Sequence, residues 1–129
     1  MTNPINIEQN EEIKYLKLAC LTLSALEDVI AELSGRIKIS RPGSSERLML
    51  KINLIDYKAK RKIIYTEIKG HLTSDFEITP PTDEEVEEIK EITTTLDQMI
   101  ADNKKTEGIV QLATQLIALW KKTSTTPIS

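Results

Sequence analysis

The sequence predicts an all-α fold, an antiparallel four-helix bundle, on three observations. Apolar residues recur at helical spacing along most of the 129 residues, and no segment alternates with the period of a strand. Helix-breaking residues are few, four Gly and five Pro, and they mark boundaries at Pro42-Gly43 and Pro80-Pro81, with Asp102-Asn103-Lys104-Lys105 as a softer break. Cys20 is the only cysteine, which rules out an internal disulfide or a thiolate zinc site, and the chain is long enough to bury a core without either. The expected helices cover about 7–37, 44–70, 82–102 and 107–122, forming one domain over 1–122 with a disordered tail at 123–129. If the last two helices were continuous, there would be three long helices. The seam would then have to pass through Asn103 and Glu107, which favours a break.

The first helix carries a seam of Leu16, Ala19, Leu23, Leu26, Ile30, Leu33 and Ile37. Leu18, Leu21, Ala25 and Val29 lie outside that seam, so only a wedge around Lys17, Ser24 and Asp28 is consistently polar. A helix apolar over most of its circumference is buried on more than one side.

The second helix starts at a Ser44 or Ser45 cap and fades near Gly70. Leu48, Ile52, Ile55, Ala59 and Ile63 share one face, and Leu50, Leu54, Tyr57, Ile64 and Ile68 share another, roughly opposite. Between them runs a basic stripe of Arg47, Lys51, Lys58, Lys62 and Lys69, with Tyr65 interleaved.

The third helix has the clearest start signal. Thr82 and Glu85 form a capping box after Pro80-Pro81, and Asp83 and Glu84 suit the helix dipole. Val86, Ile89, Thr93, Leu96 and Ile100 make its seam, with Glu84, Glu87, Glu88 and Glu91 as an acidic face pointing away. The fourth helix centres its apolar arc on Ile109, Leu112, Ala113, Leu116 and Trp120, with Trp120 expected to fill the core and Lys121 and Lys122 to suit the C-terminus.

The formal net charge of -3 conceals segregated blocks: −4 over residues 1–35, +7 over 36–72, −9 over 73–103 and +3 over 104–129. The basic stripe and the acidic face can satisfy each other, within one chain or across a subunit boundary. The stripe could instead track a nucleic-acid backbone, although the acidic whole and an aromatic content of 4% weaken that alternative. Trp120 and Lys121-Lys122 resemble an interfacial membrane anchor, but a polar face of mostly Gln and Thr disfavours a membrane partner.

Catalytic chemistry is poorly supplied, so no catalytic, cofactor-binding or metal residues are assigned, and an enzyme is not expected. His71, the only imidazole, is expected as a solvent-exposed cap residue, and Cys20 as an inert core thiol. The glycines never cluster as a phosphate-cradling loop, and the Glu cluster of the third helix lacks the His of a di-iron bundle. No signal peptide or apolar run of membrane-spanning length is visible, so the cytoplasm is the default location. The expected function is a non-catalytic interaction or structural role. The second apolar faces of the first two helices, namely Leu18, Leu21, Val29, Leu50, Leu54, Tyr57, Ile64 and Ile68, would serve a homo-oligomer or another protein partner.

Overall fold

Local turns and caps set the helix ends much as the sequence reads. A computed structural model describes the backbone of residues 4–73, 76–77, 80–122 and 126–127 and the side chains of 11–73 and 80–122. Four helices form an all-α bundle, α1 (Pro4–Ile39), α2 (Ser45–Leu72), α3 (Asp83–Ala101) and α4 (Thr106–Lys121). A two-residue ladder pairs β1 (Phe76–Glu77) antiparallel with β2 (Thr126–Pro127). Of the expected tail only the backbone of Thr126–Pro127 is described, paired with β1, and the rest of 123–129 lies outside the described residues.

The α1–α2 connection is a β-turn in which Ser44 N–H donates to the Arg41 carbonyl. Pro42 supplies the fixed φ of its first central position, and Gly43, at φ 77, takes the second, where a side chain would be strained. Ser44 then caps α2 by accepting from the Arg47 N–H at 3.1 Å. Thr82 and Glu85 complete the expected capping box of α3.

The helices α3 and α4 are separate. Asn103, at φ 52, occupies the left-handed position after α3, where its own N–H donates to the Ile100 carbonyl and Lys104 N–H donates to Met99. This pair of bonds satisfies the last carbonyls of α3 and turns the chain sharply.

Long-range contacts give the direction of each helix. Lys14 meets Asp83 at the start of α3, and Arg36 meets Asn103 and Thr106 at the α3–α4 corner, so α3 runs alongside α1 in the same sense. Glu12 meets His71 at the end of α2, so α2 returns antiparallel to α1, and α4 returns antiparallel to α3. The central element is α1, packed against α2, α3 and α4, while α2 and α3 have no substantial contact with each other.

The core contains Leu18, Leu26, Val29 and Leu33 of α1, Leu50, Tyr57 and Ile64 of α2, Ile89 and Leu96 of α3, and Ile109, Leu116 and Trp120 of α4. Trp120 is the large filler expected from the sequence, with its indole N–H donating to Glu67 at 2.9 Å. The Tyr57 hydroxyl likewise ties α2 to α4, donating to the Val110 carbonyl at 3.0 Å beside Thr114.

Tyr15 is fully buried between the rings of His71 and Trp120, and its hydroxyl has no hydrogen-bond partner among the described residues. Burial, and then the Glu67 carboxylate, push its pKa from 10.0 up to about 12. A raised folded-state pKa means that stability present below pH 10 is lost as pH rises toward about 12. Tyr15→Phe removes an unsatisfied buried hydroxyl, so it should leave stability at pH 7 unchanged or raise it by about 1 kcal/mol. It should also abolish this alkaline loss, as measured by urea melts at neutral and alkaline pH.

Candidate interaction surface

On α2, positions about 100° apart place the two apolar faces on opposite sides of the helix. The structure puts Leu50, Tyr57 and Ile64 in the core and packs Leu54 and Ile68 against it. The same holds for Leu18 and Val29 of α1, which are fully buried, and for Leu21, which packs at the core edge. The residues expected to form an oligomer face are therefore the interior of the monomer. The reason is that α2 buries its Tyr57 side, where the hydroxyl finds two partners on α4, and turns the other apolar face outward.

That outer face is the prominent surface feature. Leu48, Ile52, Ile55 and Ile63 are between 51% and 70% exposed, Ala59 lies exposed among them, and Met49 adjoins them. At the α1 terminus Ile39 is also exposed and, with Met49, borders a cleft shared with the α3–α4 corner. The ridge spans an arc of about 80° and lies about 180° from the core face.

The basic stripe flanks this ridge. Lys51, Lys58, Lys62 and Lys69 are exposed, and none makes an ion pair among the described residues. Arg47 is partly buried, reaching the Ser40 carbonyl at 3.5 Å. Tyr65 donates its hydroxyl to Glu27 of α1 at 2.8 Å, an interaction not foreseen from the sequence, and that hydrogen bond raises the Tyr65 pKa. Lys58, Arg61, Lys62, Tyr65, Thr66 and Lys69 border a shallow groove of about 450 Å³ that Glu27 closes on one side. Asp56 lies on the opposite flank of the ridge, exposed, with Glu67 further along that side and partly buried.

Glu84, Glu87, Glu88 and Glu91 are exposed on the outside of α3, as expected. Glu87 pairs with Lys90 of its own helix at 3.6 Å, and Asp83 pairs with Lys14 of α1 at 2.7 Å. The acidic face and the basic stripe do not meet within one chain, because α1 stands between α2 and α3. Among the described residues, no ion pair joins the basic stripe of α2 to the acidic face of α3.

Two further expectations change. Cys20 is exposed, on the polar wedge of α1 between Lys17 and Ser24, not in the core. His71 is not a solvent-exposed cap residue: α2 continues past Gly70, and the half-buried ring packs edge-on against Tyr15 with Nε2 3.3 Å from Glu12. Among the described residues no group of three His, Cys, Asp or Glu side chains could hold a metal ion, and no helix is long and apolar enough to cross a membrane.

Asp28 of α1 faces Asp97 of α3. Its pKa rises above 3.8 through partial burial, then through the charge of and hydrogen bond with Asp97, with a smaller contribution from Glu27. A raised carboxylate contributes stability that is fully present below pH 3.8 and lost as pH rises through its folded-state value. Asp28→Asn should therefore stabilise the bundle at pH 7, by less than about 1 kcal/mol because the site is solvated. Chemical denaturation across acidic pH should show the gain disappearing as the wild-type carboxyl protonates.

Compared with protein-family models, curated proteins and solved structures, the chain matches none.

Proposed function

We propose that this chain is a non-catalytic helical-bundle interaction or structural protein that self-associates through the outer ridge of α2. One observation carries the reading: Leu48, Ile52, Ile55 and Ile63 form a continuous exposed apolar ridge opposite the side of α2 that builds the core. Scattered exposed apolar residues are ordinary, whereas a contiguous row on one helix face is characteristic of a contact surface. The ridge is also preorganised, since Tyr57 and Glu67 already fasten α2 to α4 and binding need not order the helix. A cytoplasmic setting belongs to the same proposal, resting on the free Cys20 thiol.

Light scattering across micromolar concentrations should give a mass above that of the 14.6 kDa monomer. Ile55→Glu should return the mass to the monomer value while changing stability by no more than about 0.5 kcal/mol, because Ile55 is a surface residue in the free chain. A wild-type monomer that binds no hydrophobic dye would contradict the proposal.

The unpaired lysines around Tyr65 favour one second reading, a small nucleic-acid-binding accessory protein. On that reading Lys58→Glu with Lys62→Glu abolishes binding to labelled duplex, single-stranded DNA or RNA and flattens its salt dependence. No binding by the wild type at low salt removes it.

A further inference from the structure

The outer ridge has a register that specifies its occupant. Leu48, Ile52, Ile55 and Ala59 follow steps of four, three and four, which is the seam of a two-stranded coiled coil. All four are exposed, on a helix whose other side is already packed. The flanks of this seam differ in charge. Lys51, Lys58, Lys62 and Lys69 line one side, and Asp56 and Glu67 lie on the other with a single cation, Lys60.

This asymmetry distinguishes the two ways of pairing α2 with a second α2. In an antiparallel two-fold pair each flank meets its own counterpart, so the lysine rows of the two copies would face each other. In a parallel two-fold pair each flank meets the opposite one. Lys51, just before the seam residue Ile52, then lies beside the partner copy's acidic flank at the position just after Ile55, which is Asp56. The acidic face of α3 is a poorer occupant, because its exposed positions Glu84, Glu87, Glu88 and Glu91 offer the ridge no apolar surface.

We infer that the occupant of the ridge is the α2 helix of a second copy of this chain, packed parallel about a two-fold axis. The seam residues meet their own counterparts, and Lys51 pairs with Asp56 across the boundary. The inference rests on the proposed self-association and adds its partner helix, direction and register.

Symmetric crosslinking tests it, in the full chain carrying Cys20→Ser. Ala59→Cys and Ile52→Cys sit at exposed positions, so neither substitution disturbs the core. Each alone should give a disulfide-linked dimer in oxidised glutathione, and Ser24→Cys, on the exposed polar wedge of α1, should not. Lys51→Asp or Asp56→Lys alone should weaken dimerisation by about tenfold, two like-charged contacts replacing two attractive ones, and the double exchange should restore it.

A dimer that links only in a mixture of the Ile52→Cys and Ala59→Cys chains overturns the parallel arrangement and leaves self-association standing. Charge reversals with no effect on a dimer overturn the register. A chain that stays monomeric and floats with phosphatidylserine vesicles assigns the ridge to a membrane surface and overturns both.

Discussion

The need to bury α1 on several sides at once is the constraint on which the rest of the structure depends. Its apolar residues extend well beyond one face, with Tyr15, Leu18, Leu26, Val29 and Leu33 all fully buried. One neighbouring helix cannot cover that circumference, so α2, α3 and α4 surround it. The chain meets this demand with two tight reversals, the Pro42-Gly43 turn and the left-handed Asn103. Polar ties then fix the assembly at both ends. Arg36 joins Glu32 to the α3–α4 corner at one end, and Tyr15, His71, Trp120 and Glu67 interlock at the other.

A central α1 has an electrostatic consequence. It separates the basic α2 from the acidic α3, so the near-neutral total of -3 describes a molecule with opposed charged sides. Ion pairs on those surfaces are few among the described residues, and the exposed ones contribute only about 0–1 kcal/mol each. The segregated charge therefore adds little to the stability of one chain, and under the proposed self-association it would discriminate between orientations of the partner. The apolar ridge beside the lysines supplies what charge alone lacks, an area whose burial favours association.

Much of this was legible in the residues. Ser44, Thr82 and the Pro-Gly turn identify helix ends through local chemistry, and local chemistry is what a sequence displays most directly. The two faces of α2 were legible as well, but not which of them turns inward. Each carries five apolar residues, and the choice depends on partners distant in sequence, Val110 and Thr114 meeting Tyr57. His71 is a similar case, its burial arising from Tyr15 and Glu12 on another helix. Cys20 differs, since its place between Lys17 and Ser24 on the polar wedge of α1 was a visible signal of exposure. The helical periodicity on both sides of that wedge outweighed it.

The central claim is that the outer side of α2 is an interface and the inner side a core. Methyl-detected NMR of isoleucine-labelled protein, followed on dilution, tests this most directly. The account predicts that the methyl signals of Ile52, Ile55 and Ile63 shift together as the protein is diluted, while those of the buried Ile89 and Ile109 stay fixed. Outer-face signals that never move with concentration, or core signals that move with them, would contradict it.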